Sequence, residues 1–520
     1  MSEALPPPSQ SQSQSQSPQA QSRQQSVNQY SPQAAQQQQP ELTYEIIPHP
    51  RRNDTTAARA LPEAGSRSQA AGVRKHQRRV GSKGGNQGKH QQTCVACKIA
   101  HKMCVPAANG AMICQRCQRQ AYSMSRLGCV YFSIVDITLF RTMTDPISHK
   151  AYTSLTISQQ LCGRVERRLL GPAGSHLGLG LSGGRGGGGR GGRGGLLPFK
   201  LTQGFGTYLH LEAQRFDVND IISTEQLTPS EQDLYSHPYS IAGDYLTLKK
   251  ACEDFVRDSK GHYIAAKTSS GDALTQNMFK AAIGYAANKT SRNDKDHEFL
   301  RTVLNFWTAA RTIEGGWRLE GPEFLGLVPD ENGQVPLRKA PYIDYQFSSV
   351  MVQHVLFPLR DSVLKQLNSM ILSKAANHWF VIFLSTFILL HTCTLLLQQQ
   401  RDFTRRRGTG KERYSNMKLV TSIHEAAKTL LAFFHQICKG KTLLDVDWER
   451  AESVKRIARI SEIEANFLKY LVGVVEKRVD EFANLAKTDD YHADLWFTGQ
   501  MFVRDWKPPY VSDVSPSCQG

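Results

Sequence analysis

Across the 72 residues from Ala64 to Val135 the chain contains no aspartate and no glutamate, while Arg67, Arg74, Lys75, Arg78, Arg79, Lys83, Lys89, Lys98, Lys102, Arg116, Arg119 and Arg126 are spread along it. Over the whole chain 63 Lys and Arg face 46 Asp and Glu, so most of the net charge of +17 comes from this one block. A local excess of one sign argues for a polyanionic partner rather than for general solubility. Other absences narrow the class. No basic start leads into an apolar stretch, which argues against a secretory signal. No phosphate-cradling loop, nucleophile elbow, His-Glu-x-x-His helix or dinucleotide fingerprint occurs, so the expectation is a protein that is not an enzyme. The glycine run at Gly183–Gly195 lacks the flanking strand and helix that a nucleotide site needs. His378, His391 and His435 lie in apolar stretches and read as packed or capping residues.

Residues 1–90 are short of apolar side chains. The first forty hold fourteen Gln and nine Ser, too little to offset chain entropy by burial, and a disordered Gln/Ser-rich and basic tail is expected. Within it, Arg74, Lys75, Arg78 and Arg79 read as a nuclear import signal or a phosphate-contacting arm. Residues 136–200 are expected to be a linker, because fourteen glycines fall between Gly171 and Gly195. Arg185, Arg190 and Arg193 in that stretch form Arg-Gly-Gly repeats, which leaves an RNA-binding tail as a rival reading.

With 520 residues the chain has room for two or three domains. Residues 201–520 read as one large all-α regulatory region. Helical spacing recurs in Leu359, Val363, Leu367, Met370 and Ile371 behind Pro358, again from Leu419 to Phe434, and again in Ile463, Phe467, Leu471, Val474 and Phe482. Helices are placed only loosely around Tyr245–Val256 and Glu298–Thr312. Trp379–Leu397 has no charged residue and could just cross a bilayer at about 1.5 Å per residue. Ser385, Thr386, His391, Thr392, Cys393 and Thr394 in its centre favour a buried central helix over a membrane tether. The aromatic stretch Asp489–Trp506 reads either as the last packed helix or as a surface for partner proteins.

The strongest pattern is Cys94-x2-Cys97-x6-Cys104-x9-Cys114-x2-Cys117-x11-Cys129. Crowding of six cysteines into 36 residues suits metal ligation inside a cell better than disulfides. Zinc takes four thiolate or imidazole ligands at tetrahedral corners. Two zinc ions need eight ligand positions, which six sulfurs fill if two of them bridge. A single zinc on Cys94, Cys97, Cys114 and Cys117, with Cys104 and Cys129 incidental, is the alternative. Cys162, Cys252, Cys393, Cys438 and Cys518 are scattered and read as packing or surface residues.

The stretch CVACKIAHKMCVPAANGAMICQRCQRQ resembles the DNA-binding domain of fungal binuclear zinc-cluster transcription factors. The resemblance implies a zinc-nucleated module at 91–135, bridging roles for Cys94 and Cys114, one zinc completed by Cys97 and Cys104, and the other by Cys117 and Cys129. It also implies a nuclear, sequence-specific regulator of RNA polymerase II genes, with double-stranded DNA and the transcription machinery or co-regulators as partners and a homodimer left open. A looser similarity, through PYIDYQ, FPLRDSVLK, HWFVIFLSTFILLH, FTRRRG and GQMFVRDWKPP, links the downstream region to the helical regulatory regions of such proteins. Two departures stand out. The interval between Cys117 and Cys129 exceeds the family's usual six to eight residues, which changes loop entropy by well under about 1 kcal/mol. The segment Lys98–Met103 is less basic than the family's, whose base-reading lysine falls near Ala100 or His101. A helix starting near Cys97 would set Lys98, His101 and Lys102 on one face toward base edges or nearby phosphates, with Arg116 and Arg119 on phosphates.

Overall fold

The computed structural model describes residues 93–507 apart from 106–112, 120–128, 142–194, 216–236, 288–293, 407–413, 455–457 and a few single positions. The expected basic tail, the Arg-Gly-Gly repeats and most of the expected linker lie outside the described residues. Two five-residue helices, α1 (Val95–Ile99) and α2 (Gln115–Arg119), belong to the cysteine region and are taken up below.

Regular structure resumes with strands. β1 (Leu197–Thr202), β2 (Leu209–Arg215), β3 (Tyr239–Ile241), β4 (Arg318–Glu320) and β5 (Val335–Pro336) form an antiparallel sheet in the order β3-β2-β1-β4-β5. The expectation of an all-α region is therefore corrected: the region is largely helical but carries a five-stranded sheet. Leu201 pairs with Leu209 on one side and Leu319 on the other, so the middle of the sheet is apolar. In β2, buried Leu209 and Ala213 alternate with exposed His210 and Glu212, the period of two that a half-buried strand produces. β4 and β5 are too short to show any period and exist only through their pairing.

The helices follow as α3 (Tyr245–Thr268), α4 (Ala273–Ala287), α5 (Asp294–Thr312), α6 (Pro341–Val350), α7 (Phe357–Leu372), α8 (Trp379–Arg406), α9 (Met417–Ile437), α10 (Glu462–Glu476) and α11 (Val479–Leu485). A π-helical turn, Met351–Leu356, joins α6 to α7. Their starts are chemically marked. Asp244 accepts from the Thr247 amide at 2.9 Å, Asn416 from the Leu419 amide at 2.9 Å, and Ser461 and Glu464 form a reciprocal capping box. Pro358 sits in the first turn of α7, where its missing N–H is not needed. The expected apolar stripes of α7 and α9 are buried, but Ile463 at the start of α10 is 78% exposed.

α8 runs through the centre, packed on α4, α5 and α9. It is long and apolar enough to cross a membrane by length and composition, yet its apolar window is almost wholly buried inside the protein. Its polar side chains are satisfied mostly within the helix. Ser385 donates to the Ile382 carbonyl at 3.1 Å and Thr392 to Ile388 at 3.0 Å. His391 reaches out, its Nδ1 accepting from Trp307 Nε1 on α5 at 3.3 Å, and further along Gln398 donates to the His492 carbonyl at 2.9 Å and Gln399 to the Glu314 carbonyl at 2.7 Å. The stretch after α11 is also core. Leu495, Trp496, Phe497, Phe502 and Trp506 are buried, and Trp506 stacks on His435 at 4.8 Å. It is built of turns and a 3-10 segment, Thr498–Phe502, rather than an α-helix.

Burial pushes His391 down to about 3 and His435 down to about 4. The unfolded chain protonates these rings from about pH 6.5 downward, so the stability they support is present above that pH. It is lost as pH falls toward the folded values, by up to about 1.4 kcal/mol per pH unit for each ring. Asp344 opposes them. Burial pushes it up to about 6 from its usual 3.8, so the folded chain takes up its proton first and gains relative stability as pH falls through that window. Asp344→Asn should therefore steepen the fall in thermal midpoint between pH 6 and 4. Parallel curves for parent and variant would contradict this assignment.

Candidate metal centre

Each Cys-x2-Cys pair straddles the start of a five-residue helix. Cys94 is the N-cap of α1 and Cys97 lies one turn on; Cys114 and Cys117 take the same positions around α2. Three-residue spacing puts both sulfurs of a pair on one side of their helix. The amide of Gln115 bonds to the Val105 carbonyl at 2.9 Å and holds the two halves together. Cys94 Sγ lies 3.7 Å from Cys117 Sγ, and Cys97 Sγ lies 3.6 Å from Cys114 Sγ. The ligand atoms of these four buried cysteines all fall within 4.8 Å of one another, close enough to hold a metal ion.

Cys104 and Cys129 flank this group and pack against it. The Cys104 thiol neighbours Cys94, Cys114 and Cys97, whereas the Cys129 thiol neighbours Cys117, Cys94 and Cys114 and accepts from the Cys114 amide at 3.1 Å. Cys94 and Cys114 are thus common to both surroundings. Burial pushes the Cys97 thiol up, but hydrogen bonds led by that of Arg116 outweigh it and leave the group lowered, whereas the Cys94, Cys104 and Cys117 thiols are raised. Arg116 Nη1 donates to Cys97 Sγ at 3.7 Å and lies 3.4 Å from the Ala96 carbonyl. Its guanidinium is turned toward the cluster, while Arg119 is exposed.

The expected run of basic residues along one helical face is not what forms. α1 ends at Ile99, and His101 takes a left-handed conformation with φ 50°. The His101 amide bonds to the Lys98 carbonyl at 3.1 Å and the Lys102 amide to the Cys97 carbonyl at 3.0 Å, the paired bonds of a Schellman stop. The i, i+3, i+4 argument therefore fails at its second residue: Lys98 is on the helix, and His101 and Lys102 are on the turn that ends it. Lys98 is half-buried and Lys102 exposed. Arg74, Lys75, Arg78 and Arg79 lie outside the described residues.

The sequence reading missed the apolar side of α1. Val95, 2% exposed, belongs to the main core, and Ile99 packs against it, so α1 lies on α7 and α9. His101 Nε2 lies 3.0 Å from the Leu372 carbonyl at the end of α7. Downstream, Ile134, Ile137, Leu139 and Phe140 enter the same core, with Phe140 edge-on to Phe357 at 5.0 Å. The signal was present as apolar residues at i and i+4 between the first cysteines, in a segment weighed only for its charge.

A helical body joined to a cysteine cluster that could hold a metal fits a transcription regulator, and the comparisons with known proteins point the same way. Residues 198–501 match the KpeA transcription factor family, and the chain belongs to that family of fungal transcription factors. Over 206 residues, 37% of this chain, it is 27% identical to the satratoxin biosynthesis SC3 cluster transcription factor SAT20 of Stachybotrys chartarum. The match takes in only 28% of that relative's length. No solved structure matches. The family match begins downstream of the cysteines, so it speaks for transcription regulation and not for the metal.

Proposed function

We propose that the chain is a nuclear, sequence-specific DNA-binding regulator of RNA polymerase II genes whose reading module is a cluster of six cysteines around two zinc ions. The observation that carries this reading is the convergence of all six sulfurs, with Cys94 and Cys114 shared between the surroundings of Cys97 and Cys104 and those of Cys117 and Cys129. Six thiolates and two Zn²⁺ sum to −2, so the metal centre itself repels phosphate. Arg116 offsets part of that charge, and Lys98, His101, Lys102 and Arg119 supply the DNA contacts, Lys98 and Lys102 at base edges or adjacent phosphates and Arg119 on phosphate. The helical region is the regulatory scaffold through which co-regulators or the transcription machinery act.

Zinc content separates the binuclear from the mononuclear arrangement. Native mass spectrometry of the full chain should show two zinc ions, and one zinc with Cys104 and Cys129 free to react with a thiol reagent would reject the binuclear assignment. The contacts are tested on a duplex carrying a sequence that the protein itself selects, against a scrambled duplex, over a range of salt. Arg119→Ala should weaken both duplexes alike and lower the slope of log affinity against log salt by about 0.9. Lys98→Ala should weaken the selected duplex more, by about 1–3 kcal/mol. If Lys98→Ala and Arg119→Ala behave identically on both duplexes, Lys98 reads no base.

A further inference from the structure

α1 has three sides, and two are occupied. Cys94 and Cys97 face the metal centre. Val95 and Ile99, one turn apart, face α7 and α9 as part of the main core, and His101 reaches the Leu372 carbonyl at the end of α7. A helix with its side chains is about 10–12 Å across, and the major groove of B-form DNA is about 12 Å wide. A helix can enter that groove only when both of its flanks are clear, because the two phosphate backbones must pass beside it. In the described arrangement α7 and α9 cover one flank of α1.

We infer that the described arrangement is a self-blocked state, in which the helical region covers the DNA-facing helix and must release Val95, Ile99 and His101 before α1 can enter a groove. This rests on reading α1 as the groove-entering helix and adds its regulation. The anchor formed by Ile134, Ile137, Leu139 and Phe140 is separate in sequence from the α1 contact. It can stay in the core while α1 lifts, which keeps the module close and makes release reversible. A protein whose binding-competent form is a small fraction of the total shows an apparent dissociation constant raised by the inverse of that fraction. A partner or small molecule that parts α1 from α7 and α9 would then switch on DNA binding without touching DNA.

Two measurements on the full, zinc-loaded chain test this. In the first, the double variant Val95→Ser, Ile99→Ser, which removes the apolar side of α1 but no cysteine and no basic residue, is compared with the parent on a duplex selected from a random-sequence pool. The variant should bind at least tenfold more tightly. Equal affinity with zinc retained, as read by native mass spectrometry, would overturn the inference and leave the DNA-reading function standing. Selection of no sequence by either chain would overturn that function, and the inference with it. Should the variant lose its zinc, the second measurement decides on the parent alone. Hydrogen exchange at residues 366–372 of α7 should quicken when the duplex is added, because DNA takes α1 away from them. Unchanged or slowed exchange there, with the duplex bound, would show that α1 reads DNA while docked and would overturn the self-blocked state.

Discussion

Leu389→Asp is expected to lower the stability of the helical region by about 3–5 kcal/mol, a large share of the roughly 5–15 kcal/mol that holds a typical domain folded. Leu389 is fully buried in the middle of α8, which is surrounded by α4, α5 and α9. A carboxylate there cannot reach water, so it must stay charged at a heavy desolvation penalty or bind a proton. Leu389→Met keeps volume and polarity nearly constant and should cost less than about 1.5 kcal/mol. Denaturant unfolding of the three chains, followed by circular dichroism, measures both differences. An Asp variant that unfolds at the parent's midpoint would contradict the burial of α8, as would a protein that sediments with membranes and resists an alkaline wash.

Metal removal should have an effect of comparable size confined to the cysteine region. α1 and α2 are five residues each, far below the length at which a helix persists alone, and apart from the docking of Val95 and Ile99 on the main core they are held by the cysteines themselves. Chelation should therefore release zinc, expose six thiols to a thiol reagent and abolish DNA binding. The helical signal in circular dichroism should remain largely intact, since the core of α3 to α11 holds no metal-ligating cluster among the described residues. DNA binding that survives complete chelation would mean the cysteines do not shape the reading module.

The sequence was most legible where one residue type does one job at a fixed spacing. Six cysteines at their intervals pointed to a metal centre, and the structure brings four of them within ligand distance of one another, with Cys104 and Cys129 packed against them. The helices from α7 onward were legible because apolar residues recur over several turns, long enough for a period to stand out. Between Leu197 and Pro336 that signal is weaker: only parts of α3 and α5 were placed, and strands of two to seven residues are too short for an alternation to stand out in sequence, β4 and β5 being defined by their neighbours in the sheet. The stop of α1 was illegible for a different reason. A left-handed residue is usually announced by glycine or asparagine, and here His101 takes the position, so the expected run of Lys98, His101 and Lys102 broke at a point no residue type marked. Val95 and Ile99 were visible but read as part of a charged segment. Only the long-range packing on α7 and α9 shows what they are for.

If the zinc-bound cysteine cluster reads DNA sequence, selection from a random-sequence duplex pool should separate three full-length chains: the parent, the Val95→Ser, Ile99→Ser variant, and the latter with Cys94→Ala and Cys114→Ala added. The parent or the serine variant should enrich a defined sequence, and the chain lacking the two cysteines should enrich none while keeping its helical fold. Enrichment of the same sequence without Cys94 and Cys114, or failure of every zinc-loaded chain to prefer any sequence, would contradict that reading.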